Sequence, residues 1–231
     1  MKLVTLCSGG LDSVTLAHLL HSQGHEQVLL FVAYGQRHLN QELLGAIRCQ
    51  VDLGLELTWA NVSGPIFSSA LTECSKEIPS GEYTPETLST LVVPNRNAIF
   101  ANLAAALAVS RGYDGIALAV HGGDHEIYSD CRPVFIASLR RFLEVSTGQK
   151  LHVHTPFVHR SKAQIVEIGM QLYVPFEHTW SCYKGGGKHC GICPTCRERQ
   201  QAFYGYTDPT GYETPMTPGQ IHKSLYEGKF K

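Results

Sequence analysis

A glycine-rich turn near the start of the chain, residues 8–13 with the sequence Ser-Gly-Gly-Leu-Asp-Ser, limits the possible folds more than any other stretch. Residues 3–6 before it form an apolar run of strand length. The apolar residues of 14–20 after it recur at three- and four-residue spacing, which is typical of one helix face. Glycine lets a backbone turn tightly and approach a ligand closely, and a helix start offers unpaired N–H groups to an anion. The stretch therefore predicts a strand, a phosphate-binding turn and a helix.

The turn differs from a Walker loop, because no Gly-Lys-Ser/Thr sequence follows it. Asp12 would repel a bare phosphate, so its carboxylate is expected either to cap the helix or to hold a magnesium ion. The alternative is a glycine turn that only joins a strand to a helix. The six-residue match in this context favours phosphate binding.

Composition is typical of a globular domain of ordinary size. The chain has 231 residues, 43% of them hydrophobic, a formal net charge of −1 and a pI of about 6.9. This balance leaves no basic footprint for nucleic acid and no polybasic patch for a membrane surface. No apolar run approaches the roughly 18 residues of a membrane helix. We expect a cytoplasmic protein with reduced thiols and with neither nucleic acid nor membrane as a partner.

Strand and helix signals alternate along the chain. Further strands are predicted at residues 27–33, 55–59, 115–120 and 151–153, with helices between them that include 98–110 and 133–145. Helix 133–145 is expected to place Phe135, Leu139 and Phe142 on one side, and Ser161 with Gln164 resembles a capping box. Residues 74–91 are rich in Ser, Thr, Glu, Pro and Gly, and indicate a mobile loop or lid.

This alternation predicts an α/β fold with a doubly wound, mostly parallel sheet and helices on both faces. In such sheets, ligands bind beyond the carboxyl ends of the strands, where the strand order switches. Three polar loops leave predicted strands at that edge, at residues 8–13, 34–38 and 121–132. The sequence therefore predicts one site at this edge.

Four cysteines near the C-terminus have the spacing of a metal site. Their order is Cys182-x7-Cys190-x2-Cys193-x2-Cys196, and four thiolates satisfy a tetrahedral zinc ion. Two disulfides and an iron–sulfur cluster are the alternatives. Because four thiolates leave no open position, the metal is expected to be structural. We divide the chain into residues 1–178, an α/β domain that contains the phosphate-binding turn; 179–204, a four-cysteine zinc subdomain; and 205–231, a C-terminal tail.

The glycine-rich turn resembles the SGGxDS signature of the PP-loop ATP pyrophosphatases, and further motifs narrow the resemblance. Over residues 2–204 the chain resembles the 7-cyano-7-deazaguanine (preQ0) synthase family. The motifs that carry the likeness are YGQRH at 34–38, VPNRN at 93–97, Tyr128, Asp130-Cys131-Arg132, TPF at 155–157, Lys162, and TWSCY at 179–183 before the other cysteines.

The resemblance implies a Rossmann-like fold of the adenine nucleotide alpha-hydrolase type and a ligase of queuosine biosynthesis. The implied substrates are 7-carboxy-7-deazaguanine, ammonia and ATP. A carboxylate oxygen attacks the α-phosphate of ATP, ammonia converts the acyl adenylate to an amide, and a second activation gives the nitrile. The implied cofactors are ATP, Mg2+ and structural Zn2+, and the implied assembly is a homodimer.

The same resemblance assigns candidate residues to three tasks. The catalytic candidates are Arg37, Arg96, Lys162 and His38. The candidates for binding ATP are Ser8, Gly9, Gly10, Leu11, Asp12, Ser13 and Gln36. The candidates for binding the acid are Asn97, Asp124, Tyr128, Asp130 and Arg132. Cationic groups suit this chemistry because negative charge builds on the transferring phosphoryl oxygens. Each catalytic candidate also has a structural interpretation. Arg37 and Arg96 would be capping residues at the surface, Lys162 a solvated lysine at a helix start, and His38 a structural histidine.

Two departures from the family pattern leave alternatives open. Asn95 stands where the family has glycine, although Asn also adopts left-handed backbone angles. Residues 121–123 are His-Gly-Gly where the family often has a carboxylate. The alternatives are a divergent member that stops at the amide or uses another amine, a PP-loop tRNA-modifying enzyme, and a zinc module that binds a nucleotide or a protein partner without catalysis.

Overall fold

A five-stranded parallel sheet forms the centre of the computed structural model, which describes residues 1–124 and 128–226, without the side chains of residues 124 and 226. The strands are β1 Lys2–Leu6, β2 Glu26–Ala33, β3 Glu56–Asn61, β4 Gly115–Ala117 and β5 His152–His154. Their order is β3-β2-β1-β4-β5, and every neighbouring pair is parallel. The strand order therefore switches between β1 and β4, and the predicted doubly wound sheet is confirmed.

Eight helices and three 3-10 turns surround the sheet in the described part of the chain. The helices are α1 Leu11–Ser22, α2 Leu39–Leu53, α3 Pro85–Leu91, α4 Arg96–Arg111, α5 Pro133–Thr147, α6 Lys162–Gln171, α7 Pro194–Ala202 and α8 Pro218–Tyr226. The 3-10 turns are Gly122–Asp124, Ser129–Cys131 and Phe176–His178. The predicted capping box is present at α6, where Ser161 accepts from the backbone N–H of Gln164 at 3.3 Å.

The two faces of the sheet bury separate cores, because neighbouring residues of a strand point to opposite sides. Leu3 and Phe31 lie in the core that α1, α2 and α6 cover. Val4 and Ile116 lie in the core that α4 and α5 cover. A third core joins residues 67–93 to the four cysteines and to Tyr34 at the end of β2. The glycine-rich turn follows β1 at the carboxyl edge of the sheet, and Leu11 of this turn belongs to the first of these cores.

Two predictions about individual elements were wrong. Helix α3 lies inside residues 74–91, which we expected to be a loop, because Thr84 and Thr87 form a capping box and Pro85 occupies the first helical turn. In α5 the buried face consists of Ile136, Leu139 and Leu143, whereas Phe142 is 53% exposed.

The tail after residue 204 packs on the cysteine segment. The backbone N–H of Met216 donates to Gln200 Oε1 at 2.6 Å, and Met216 is buried. Asp208 accepts from the Arg199 guanidinium at 3.2 Å, and Arg199 is only 1% exposed. Residues 205–217 are therefore held by contacts within this chain.

Residues Pro85–Arg111 meet the criterion for a membrane-crossing helix by length and composition alone, with a mean hydropathy of 1.2. In the fold this stretch is divided between α3 and α4, and α4 buries Ala101, Ala104 and Ala108 in a core of the sheet. One such stretch is weak evidence for a membrane, since the core helix of a soluble protein passes the same test.

Candidate active site

A cavity of about 230 Å³ opens at the carboxyl ends of β1, β2 and β4, next to the switch in strand order. The sequence-predicted residues that line it are Ser8, Gly10, Leu11, Asp12, Ser13, Gln36, His38, Arg96, Asn97, Tyr128 and Lys162. All three predicted loops therefore meet at one site, and residues 8–13 and 34–38 supply most of these side chains. The third contributes Tyr128 and Cys131.

The glycine-rich turn is held open by hydrogen bonds within itself. Ser13 Oγ accepts from the backbone N–H of Ser8 at 3.2 Å and donates to the carbonyl oxygen of Gly10 at 3.1 Å. Gly10 is the N-cap of α1, and among the described residues no side chain caps this helix start. The first N–H groups of α1 therefore face the cavity, as expected of a phosphate site.

Gly9 allows the turn to lie directly on α2. Its φ is +78°, and a Cβ atom here would collide with the carbonyl oxygen of Glu42 and lie 2.6 Å from the backbone nitrogen of Ala46. Gly45 is equally confined, because a Cβ there would lie 2.6 Å from the carbonyl oxygen of Gly9. Both contacts are with backbone, which cannot move aside as a flexible side chain can. The turn therefore requires glycine at position 9.

A charged cluster lies beside the turn. Lys162 Nζ is 2.6 Å from Glu198 Oε2 and 3.4 Å from Asp12 Oδ2, and His121 Nε2 is 3.8 Å from the same Asp12 oxygen. Asp12 Oδ1 is buried and has no hydrogen-bond partner among the described residues. A carboxylate oxygen in this position fits a hard cation such as Mg2+.

Gln36 and Glu42 form the wall below the end of β2. Gln36 Oε1 accepts from the backbone N–H of Tyr34 at 2.8 Å, and its Nε2 donates to Glu42 Oε2 at 3.0 Å. His38 Nε2 is 3.5 Å from the other oxygen of Glu42. These bonds hold the Gln36 amide in place, so it shapes the loop as well as lining the cavity.

The opposite wall combines a half-buried cation with phenols. The Arg96 guanidinium lies 5.8 Å from the centre of the Tyr34 ring and donates to its hydroxyl at 3.4 Å. The hydroxyls of Tyr83 and Tyr183 are 3.2 Å apart. Burial raises the pKa of Tyr34, so this phenol stays neutral. A cation among planar rings suits a planar anionic ligand.

Other predicted residues lie outside the cavity lining. Arg37 Nη1 donates to the carbonyl oxygens of Lys76 at 2.8 Å and Ala70 at 3.5 Å. Asp130 Oδ2 accepts from the backbone N–H of Asn97 at 3.0 Å, at the start of α4. Arg132 is the N-cap of α5.

Gly9 belongs to the turn but lies against α2 and outside the cavity lining. The side chain of Asp124 lies outside the described residues. The expected left-handed backbone at Asn95 is present, with φ 59° at the N-cap of α4.

Several lining residues were not predicted from the sequence. They are Tyr34, Glu42, Tyr83, Trp180, Tyr183 and Glu198. Tyr34, Trp180 and Tyr183 belong to the YGQRH and TWSCY motifs, so attention to those motifs would have found them. Glu198 stands in an ordinary polar helix sequence, and no sequence signal separates it from other surface glutamates.

The four cysteines form a centre whose geometry fits a metal ion. Their Sγ atoms all lie within 4.8 Å of one another, all four residues are buried, and Cys190 Sγ is 4.0 Å from Cys196 Sγ. A tetrahedral zinc with Zn–S bonds of about 2.3 Å has S···S edges of about 3.8 Å. The backbone N–H of Cys193 donates to Cys190 Sγ at 3.3 Å, which stabilises a thiolate.

His189 is not needed as a ligand of this centre. Its Nε2 accepts from the backbone N–H of Ser181 at 2.9 Å, and its ring lies 4.2 Å from the ring of Trp180. Burial, with the nearby Arg199 cation, lowers the pKa of His189 to about 4, so its imidazole is neutral and can accept that bond.

Comparison with known proteins decides the family. The family model described as "Queuosine biosynthesis protein QueC" matches residues 2–207. The chain belongs to the QueC family. A 7-cyano-7-deazaguanine synthase of Sinorhizobium fredii is 46% identical over 222 residues, covering 93% of each chain. Another of that name from Paracoccus denitrificans is 46% identical over 220 residues, covering 92% of this chain and 94% of the relative.

Structural comparison gives the same fold class for this QueC member. The NMN synthetase of Francisella tularensis superposes with a TM-score of 0.51 and 16% identity, covering 100% of this chain and 78% of the other. At that identity the likeness concerns the fold alone. The predicted family and the α/β fold with a four-cysteine centre are confirmed.

Proposed function

We propose that this chain is a 7-cyano-7-deazaguanine synthase that uses ATP to convert 7-carboxy-7-deazaguanine and ammonia to the nitrile. The main support for this proposal is the composition of one cavity. On one side it contains the start of α1, Asp12 and Lys162, and on the other side it contains Arg96 and the neighbouring tyrosines. One side suits a polyphosphate and the other a planar acid. Curated relatives with this name at 46% identity support the proposal.

The turn at residues 8–13 would hold the phosphates of ATP, through the helix N–H groups and the Ser8 and Ser13 hydroxyls. Lys162 would approach the α-phosphate, where negative charge builds as the carboxylate attacks and pyrophosphate leaves. Asp12 would hold Mg2+ through Oδ1, and the ion would neutralise phosphate oxygens. Gln36 would keep the wall of the nucleotide site in place.

Arg96 would hold the acid and orient its carboxylate toward the α-phosphate, with catalysis resting on position more than on a protein nucleophile. Tyr128 and Asn97 line the same cavity, and with Asp124, Asp130 and Arg132 they form the proposed set for the deazaguanine edge. Asp130 would act through the Asn97 backbone that it holds. His38 would move protons between the cavity and Glu42, and Arg37 would support the loop at residues 70–76.

Four cysteine thiolates would hold structural Zn2+ at residues 182–196, with each sulfur as one ligand of a closed tetrahedral site. We also propose a homodimer and a cytoplasmic location, together with the division of the chain at residues 178 and 204. Relatives that are bacterial biosynthetic enzymes support the location.

Product analysis tests the proposal. The protein is incubated with ATP, Mg2+, 7-carboxy-7-deazaguanine and ammonium, and the products are followed by mass spectrometry. We expect the nitrile, with two AMP and two pyrophosphate for each nitrile formed. Amide that accumulates without nitrile would show a member that stops at the first stage. Adenylation of tRNA together with salt-sensitive tRNA binding would show the tRNA-modifying class instead.

A further inference from the structure

We propose that Glu198 is a positioning residue that holds the Lys162 ammonium in place for the phosphates of ATP. The inference rests on the proposed function, because Lys162 has a task only if ATP binds at the turn. Glu198 belongs to α7, the helix that contains Cys196, and not to the loops that we propose for nucleotide binding. The four-cysteine centre would thereby support the orientation of a catalytic lysine.

Lys162 occupies an unfavourable place for a cation. It is the first residue of α6, where the helix dipole presents partial positive charge, so its ammonium needs a carboxylate to fix its position. Glu198 is the nearer partner, at 2.6 Å, and Asp12 is the farther, at 3.4 Å. The side chains of Lys162 and Glu198 are 14% and 20% exposed, so water screens this pair less than it screens a surface ion pair.

Glu198 is itself held on a fixed support. Helix α7 begins directly after Cys193 and contains Cys196, so two of the four thiols set the start of the helix. The next residue, Arg199, donates to Thr179 Oγ1 at 2.7 Å and to the carbonyl oxygen of Phe176 at 2.9 Å. The Glu198 carboxylate therefore has a fixed position relative to the cavity.

Glu198 and Asp12 attract the Lys162 ammonium toward opposite sides of the cavity. Glu198 holds Lys162 on the α7 side of the cavity, whereas Asp12 attracts it toward the glycine-rich turn. Without the charge of Glu198 the ammonium would move toward Asp12 and would neutralise the carboxylate that we propose for Mg2+. Binding of the nucleotide would then weaken, and binding of the acid beside Arg96 would not.

The test compares E198Q, E198D and the control E82Q. Glu82 Oε2 accepts from Gln201 Nε2 at 3.0 Å, so it contacts the same helix α7 without lining the cavity. Calorimetry with Mg2+ and α,β-methylene-ATP, which cannot be cleaved between its first two phosphates, measures binding without turnover. Metal content, melting temperature and the KM values for ATP and for the acid complete the comparison.

In E198Q we expect the Kd for the analogue and the KM for ATP to rise about tenfold, since small displacements of a catalytic group are costly. The KM for the acid should stay within about twofold, metal content should be unchanged, and E198D should recover most of the loss. E82Q should behave as wild type.

The positioning role would be overturned if E198Q raised the KM values for ATP and for the acid equally and also lost metal. It would also be overturned if E198Q left the Kd for the analogue unchanged. A wild-type protein that binds no analogue would overturn both proposals. A wild-type protein that binds the analogue but makes no nitrile would overturn the proposed product alone.

Discussion

The backbone N–H of Trp180 donates a hydrogen bond of 3.0 Å to the carbonyl oxygen of Gly9. Gly9 belongs to the glycine-rich turn, and Trp180 lies two residues before the first cysteine of the metal centre. The Trp180 indole N–H in turn donates to the carbonyl oxygen of Cys182 at 2.7 Å. The four-cysteine centre is thus connected to the glycine-rich turn through one residue.

This connection predicts that loss of the metal weakens nucleotide binding as well as stability. In Cys193→Ser we expect metal content to fall well below one ion per chain. Loss of a structural metal costs more than about 4 kcal/mol, which lowers the melting temperature by roughly 10 °C. Elemental analysis, calorimetry with the ATP analogue and thermal denaturation check this. The control is Cys74→Ser, since Cys74 is exposed and outside the cluster. Normal analogue binding by the metal-free variant would contradict the coupling.

Gly9→Ala should destabilise the protein far more than the same change at Gly24. Both glycines have positive φ, +78° and +74°, so both substitutions carry about 1 kcal/mol of backbone strain. At Gly9 the new methyl group collides with the backbone of α2, whereas at Gly24 no atom of the described part of the chain lies within 4 Å of it. We expect at least about 2 kcal/mol of additional loss at Gly9, measured by urea unfolding. Equal effects at the two positions would show that α2 yields to the methyl group.

The substitutions Arg96→Lys and Arg37→Lys should have different effects on catalysis. Arg96 faces the cavity beside Tyr34, so Arg96→Lys should raise the KM for the acid or lower kcat by about tenfold or more. Arg37 instead binds the carbonyl oxygens of residues 70 and 76, so Arg37→Lys should leave the acid KM within about twofold and speed proteolysis near residue 76. Steady-state kinetics and limited proteolysis check both. A large catalytic loss in Arg37→Lys with unchanged proteolysis would return Arg37 to the catalytic set.

Two histidines should make the fold less stable in mild acid. Burial lowers the pKa of His18 and of His154, and His18 Nε2 is buried without a hydrogen-bond partner in the described chain. The unfolded chain therefore binds protons at these positions before the folded chain does. Stability should fall as pH decreases below the ordinary histidine pKa of about 6.5. Urea unfolding at pH 7.5 and pH 5.5 should show a smaller decrease in a His18→Asn, His154→Gln variant than in wild type. An equal decrease in the two proteins would exclude these histidines as the cause.

Local patterns predicted the features that depend on nearby residues. The turn at residues 8–13, the capping box at Ser161 and the four-cysteine spacing each rest on contacts within a few residues or on ligand chemistry, so sequence alone identifies them. Helix α3 was missed because Pro85 and the hydroxyl residues around it are also typical of loops, and here they start a helix.

Only the tertiary structure decided which distant side chains meet at the cavity. Glu198 reaches Lys162 across 36 residues, and Arg37 turns away from the cavity to bind residues 70 and 76, and neither direction is encoded in spacing along the chain. The sequence by itself determined the strand–turn–helix unit, the α/β alternation and the thiol set, because these follow from periodicity and from short-range chemistry. The packing of α6 and α7 on one face of the sheet, and of residues 67–93 against the four cysteines, determined the rest, since long-range contacts depend on how whole elements fit together.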